Sequence, residues 1–148
     1  MKYLAYGANM DVEIMRTRCT EATLLGTGVL ENFRLMFKGK EPNAYATIEP
    51  WEGFKVPYVL WEITAGDEKH LDRFEGFPRA YKKHTVNVEF GREIVPAMYY
   101  AKPENQSVGQ PMTHYVDCLA RSYERFKFDR SILDEALRLS DEHFQRSF

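Results

Sequence analysis

Residues 56–81 read VPYVLWEITAGDEKHLDRFEGFPRAY, and the periodicity changes twice within them. Val56 to Ile63 is a mostly apolar run rich in β-branched and aromatic side chains, which predicts a central strand. Thr64 then offers a capping oxygen to a helix through Ala65 to Phe74, with Asp67 and Glu68 in its first turns, where the helix dipole favours acids. Leu71 and Phe74 are expected to form its apolar face. Gly76 is a natural stop, and Pro78 opposes continuation. At Tyr81 an alternating segment begins. A strand, a capped helix and a second strand in this succession set up a fold of the α+β class.

On the C-terminal side of this stretch, Val86, Val88 and Phe90 alternate with Thr85, Asn87 and Glu89. Gly91-Arg92 turns the chain into Glu93 to Ala101, a hairpin partner whose Pro96 implies an edge or a bulge. Farther on, Tyr115, Leu119 and Tyr123 recur at helical spacing, and Asp129 caps a last helix with Leu133, Ala136, Leu137 and Phe144 facing inward. On the N-terminal side, Lys2 to Tyr6 reads as a short strand stopping at Gly7, and Asp11 to Thr20 as a short helix. Leu24 to Leu30, Arg34 to Phe37 and Tyr45 to Ile48 read as separate strands. Strands dominate early and helices gather late. The expectation is one α+β domain over residues 1–148, with a mostly antiparallel, barrel-like mixed sheet, a short helix bearing an acid, and two C-terminal helices.

The chain has 148 residues, 44% hydrophobic and 28% charged, which argues against a disordered, collagen-like or coiled-coil protein. Lys plus Arg number 20 against 22 Asp plus Glu, a net charge of −2 that exerts no general pull on nucleic acid or anionic membrane. The longest apolar run, Ile94 to Ala101, is interrupted by Pro96 and falls far short of the ~20 residues of a spanning helix. Asp11 and Glu13 arrive before an apolar leader segment can form, so no signal peptide is expected. Cys19 and Cys118 are too few for a disulfide framework and read as reduced, buried thiols of a cytoplasmic protein. His70, His84, His114 and His143 show no metal-ligand spacing. Gly26-Thr27-Gly28 lacks the third glycine and following helix of a dinucleotide fingerprint. There is no Walker lysine and no Gly-x-Ser-x-Gly elbow. Lys82-Lys83-His84 reads as the solvent face of a strand. Neither a metal nor a cofactor is expected.

Two segments could carry chemistry. In Tyr6-Gly7-Ala8-Asn9-Met10 a strand ends at a glycine followed by a small residue, so the backbone can turn tightly and approach a ligand. Successive N–H groups in such a turn can form an anion-binding nest, although Gly and Asn also dominate ordinary turns. The second segment places Glu75 at a helix C-terminus, where the dipole disfavours a carboxylate, with Phe74 and Phe77 beside it. Turned into the fold, Glu75 would gain a raised pKa and become a proton carrier near neutral pH; turned outward, it would be an ordinary solvated acid. Asp72 is the competing acid and is expected to pair with a surface cation such as Lys69.

These pieces together resemble the gamma-glutamylcyclotransferase-like family. Tyr3 to Met10 is similar to its Y-x-A-Y-G-S-N-L/M signature, with Ala8 in place of the usual serine. Leu71-Asp72-Arg73-Phe74-Glu75-Gly76 followed by Tyr81 is similar to its L-D-x-x-E-G…Y block. Ala97 with Tyr99 or Tyr100, and Pro111 to Tyr115, fit two further elements. The resemblance implies cofactor-free intramolecular acyl transfer on a small γ-glutamyl substrate: its α-amine attacks its own γ-carbonyl, closing 5-oxoproline and releasing an amine or amino acid. It further implies Glu75 as general acid/base, Tyr6, Gly7, Ala8 and Asn9 as the substrate-binding loop, Tyr115 as a substrate contact and Tyr81 as a pocket wall. Rival readings are the same chemistry on a γ-glutamyl amine such as γ-glutamyl-lysine or on a γ-glutamyl-protected metabolite, and a non-catalytic binding protein on the same fold. Exposed strand edges leave room for a homodimer.

Overall fold

The switch from strand to helix falls at Thr64, where the sequence places it. In a computed structural model that describes residues 1–146, the elements are β1 (Lys2–Ala5), a 3-10 turn (Ala8–Met10), α1 (Val12–Arg18), β2 (Thr23–Lys38), β3 (Tyr45–Glu62), α2 (Ala65–Phe74), β4 (Lys82–Phe90), β5 (Glu93–Ala101), α3 (Thr113–Arg125) and α4 (Arg130–Arg146). The last two positions of the expected 1–148 domain lie outside the described residues. Thr64 accepts a hydrogen bond from the Asp67 amide at 3.1 Å, and the Asp67 carboxylate accepts one from the Thr64 amide at 3.1 Å. This reciprocal capping box satisfies two backbone donors that the first turn would leave open.

The five strands form one sheet in the order β2-β3-β1-β5-β4. Every pair is antiparallel except β1 with β5, whose parallel register sets Tyr3 opposite Met98. The sheet is therefore mixed and mostly antiparallel, as expected, but it is not closed. Its hydrogen-bonded order ends at β2 and β4, and α4 rather than β4 lies against β2.

Two expectations about strands are corrected. The segments read as separate strands merge into β2 and β3, the arms of one long hairpin. The gap expected between Leu30 and Arg34 is an irregularity in the ladder: pairing jumps from Glu31–Lys55 to Phe33–Pro50. Asn32 takes a left-handed φ of 61° there, and its side chain accepts a hydrogen bond from the Gly53 amide at 3.1 Å. A residue that looks like a turn thus redirects a strand instead of ending it. Pro96 lies in β5, which is an interior strand; its ring is accommodated because the parallel pairing with β1 is made farther along, at Met98.

The core follows the predicted periodicity. Leu119, Tyr123, Leu133 and Ala136 are buried, with Leu137 and Phe144 partly so, and Asp129 caps α4 by accepting from the Ser131 amide at 3.0 Å. Cys19 and Cys118 are free and buried. Leu71 is fully buried, but Phe74 is 59% exposed and lies over the Arg18 guanidinium, 4.4 Å from its ring centroid. The apolar face expected of α2 is thus narrower than Leu71 plus Phe74, because an arginine from α1 takes the phenylalanine's ring. No described helix is long and apolar enough to cross a membrane.

Candidate active site

The C-terminal end of α2 fixes Glu75. The Gly76 amide donates to the Arg73 carbonyl at 3.2 Å and the Phe77 amide to the Asp72 carbonyl at 2.9 Å, while Gly76 adopts a φ of 63°. This is a Schellman ending, and the left-handed position needs glycine: a Cβ at Gly76 would also approach the Ala80 Cβ to 2.9 Å. Glu75, one residue earlier, is the capping residue, and it faces a cavity of about 510 Å³.

The opposite wall grows from β1. Asn9, buried in the 3-10 turn, is held at three atoms: Arg18 donates to its Oδ1 at 2.9 Å, its own Nδ2 donates to the Tyr3 hydroxyl at 2.9 Å, and Trp61 Nε1 donates to its carbonyl at 3.0 Å. The same Nδ2 lies 3.5 Å from Glu75 Oε1. The turn's own backbone bonds run from Met10 to Gly7 and from Asp11 to Ala8, leaving the Ala8 and Asn9 amides outside them. Behind this loop stands Tyr115 of α3, whose hydroxyl accepts from the Ala46 amide at 3.0 Å. A Cβ at Gly7 would lie 3.4 Å from that hydroxyl, so the loop's close approach suits a glycine. Tyr81 donates to the Ala46 carbonyl at 2.9 Å, and Tyr6 donates to the Tyr100 carbonyl at 2.5 Å. Tyr6 and Tyr81 have therefore spent their protons, while Tyr3 and Tyr115 accept and retain one each.

Glu75 titrates in this setting. Burial pushes its carboxyl up to about 7, against the opposing pull of Arg18 and Lys102. The desolvation comes from the tyrosine-lined cavity and not from its chain neighbours, since Phe74 and Phe77 are 59% and 37% exposed. Burial likewise raises Tyr3, Tyr6, Tyr81 and Tyr115 well above the ordinary phenol range, so these hydroxyls stay neutral. Asp72 faces elsewhere: it accepts from the Tyr100 hydroxyl at 2.6 Å and pairs with Lys83 at 2.8 Å. The expected pairing with Lys69 is replaced because β4 brings Lys83 against this face of α2, where it also reaches Glu68.

Tyr6, Gly7, Ala8, Asn9, Glu75, Tyr81 and Tyr115, far apart in the chain, all line the one cavity, and of the Tyr99/Tyr100 pair it is Tyr100 that joins them. Sequence reasoning missed Arg18, Tyr45 and Lys102. Arg18 carries a faint signal, a cation ending the helix that follows the loop; Lys102 and Tyr45 carry none.

Comparison with known proteins bears on the family and the fold. A family model described as gamma-glutamyl cyclotransferase, AIG2-like, matches residues 3–117. The chain belongs to this gamma-glutamyl cyclotransferase, AIG2-like family. No curated protein matches the sequence. Among solved structures, one titled gamma-glutamyl cyclotransferase superposes with a TM-score of 0.81 at 20% identity, covering 92% of this chain and 85% of the other. An uncharacterized Homo sapiens protein gives 0.79 at 21% identity, covering 91% and 85%. YkqA from Bacillus subtilis gives 0.78 at 20% identity and covers 95% of this chain, which spans only 54% of YkqA. At such identities the superpositions establish the fold. Family and fold together support a gamma-glutamyl cyclotransferase-like enzyme.

Proposed function

We propose that this protein converts a γ-glutamyl compound to 5-oxoproline with Glu75 as the single proton carrier. The observation that carries the reading is a half-buried carboxyl poised near neutral pH, in a tyrosine-walled cavity beside a loop whose Ala8 and Asn9 amides donate to no group among the described residues. The nucleophile belongs to the substrate, so the reaction asks the protein only to fold the substrate, move a proton and stabilise charge. Glu75 takes a proton from the substrate's ammonium. The freed amine attacks the γ-carbonyl carbon and a C–N bond closes the five-membered ring. The bond to the leaving nitrogen breaks as Glu75 returns the first proton to it, and the ring nitrogen's second proton, passed on through the regenerated Glu75 carboxylate, leaves with the released amine as its ammonium.

The Ala8 and Asn9 amides, with the retained hydroxyl protons of Tyr3 and Tyr115, are suited to the α-carboxylate and the developing oxyanion. Ala8 in place of serine removes one hydroxyl but no backbone donor. Asn9, fixed by Arg18, sets the Glu75 carboxyl in place.

The test is release of 5-oxoproline from a panel of γ-glutamyl dipeptides, γ-glutamyl amines and glutathione. Glu75→Gln keeps the shape and removes the proton carrier, so kcat should fall by at least ~100-fold while substrate still binds. Near-normal turnover in that variant refutes the assignment of Glu75, and a panel without product favours a binding protein.

A further inference from the structure

Among the described residues the cavity is lined by one acid, Glu75, and three cations, Arg18, Arg73 and Lys102. Two of the cations are accounted for without a ligand. Arg18 holds Asn9 and lies over Phe74, and Arg73 is exposed at the end of α2, where water solvates it.

Lys102, immediately after β5, differs. Its backbone is pinned by the amide's hydrogen bond to Thr47 Oγ1 at 2.9 Å, and the residue is half-buried. The ammonium sits between two rings, 5.6 Å from the centroids of Tyr45 and Tyr81. Among the described residues it makes no hydrogen bond and no ion pair. The fold also makes room for it. Gly39 has a φ of 127°, and a Cβ there would come within 2.8 Å of the Lys102 Nζ. An ammonium has three donor protons; withdrawing it partly from water without an acceptor is unfavourable, and the ring faces offset only part of that. The missing component is an anion.

We propose that Lys102 binds a carboxylate on the leaving group, so that the enzyme prefers γ-glutamyl compounds whose departing amine carries its own acid over plain γ-glutamyl amines. This rests on the cyclotransferase reading. The glutamyl α-carboxylate must lie next to the attacking amine, hence near Glu75 and the Asn9 loop. Lys102 lines the same cavity as Glu75 but lies against Tyr45 and Tyr81 and, among the described residues, forms no ion pair with that carboxylate, which suits the more distant end of the substrate.

The experiment compares γ-glutamylalanine with γ-glutamylethylamine, which differ by that one carboxylate. Binding is measured by calorimetry in Glu75→Gln protein, where neither ligand is consumed. γ-Glutamylalanine should bind at least ~10-fold more tightly, and Lys102→Gln in the same background should erase the ratio by weakening that ligand alone. Comparing two ligands on one protein keeps the readout independent of any change in its folded fraction. Equal affinities without the lysine change, or equal weakening of both ligands by it, overturns the proposal, since an ammonium holding the α-carboxylate would affect both alike. Absence of binding by either ligand overturns it as well. If the binding ratio holds while the unmutated protein releases no 5-oxoproline from either compound, the carboxylate subsite stands and the cyclotransferase reading falls.

Discussion

At the scale of the residue, Glu75 links activity and stability to pH with opposite signs. Acting as a base it must be ionised, so kcat/KM should climb with pH through an acid limb near 7. The groups around it are Arg18 and Lys102, which lower that limb, and Tyr3, Tyr6, Tyr81 and Tyr115, which stay neutral. Arg18→Met should therefore move the limb upward, and a limb that stays in place would show that another group sets it. For stability, the folded carboxyl is raised from an ordinary 4.5, so the folded protein holds a proton that the unfolded chain releases in the window between 4.5 and about 7. Stability from this group is present below the window and lost as pH rises through it. Glu75→Gln, always neutral, should be more stable than the parent by about 1–3 kcal/mol at pH 8 and level with it near pH 4.5, as read by urea unfolding. A pH-independent difference would contradict the titration. Glu75 and the Tyr6–Asn9 loop were legible in the sequence because each is a short local pattern. Lys102 was not, because its meaning depends on Tyr45, Tyr81 and Gly39, which only the fold brings to it.

At the scale of the element, α2 positions the acid through its two ends. Thr64→Ala removes the acceptor for the Asp67 amide and should cost about 1 kcal/mol, or a fall in Tm of about 2–4 °C, seen by thermal denaturation. Because the Schellman ending at Gly76 is untouched, kcat should stay within about twofold of the parent. A large loss of kcat without loss of Tm would mean that the capping box, rather than the C-terminal turn, aims Glu75. This helix was readable to the residue because its caps are covalent neighbours of its ends. The long β2–β3 hairpin was not, since Asn32 and Gly53 have turn-like character and only pairing across the sheet reveals that the strand continues.

At the scale of the whole molecule, the mixed class and late helices were legible from where the period changes, but the open edge was not, because strand order is decided by packing between distant segments. One long-range tie is made by Lys38, which forms a buried ion pair with Glu49 inside the hairpin and also donates to the Glu104 carbonyl at 2.9 Å, so anchoring the segment after β5 to the hairpin. Lys38→Met alone should cost about 3–5 kcal/mol by leaving Glu49 buried and unpaired, whereas Lys38→Met with Glu49→Leu should recover much of it in denaturant melts. Equal losses would show that the tie to Glu104 matters more than the charge pair. The tyrosine-rich interior has an optical consequence. Eight of the nine tyrosines, Tyr3, Tyr6, Tyr58, Tyr81, Tyr99, Tyr100, Tyr115 and Tyr123, are raised by burial. In an alkaline titration followed by ultraviolet absorbance, phenolate should thus appear mainly in one abrupt, slow step coincident with loss of circular dichroism, and a gradual rise with the dichroism intact would mean that solvent reaches these rings in the native protein.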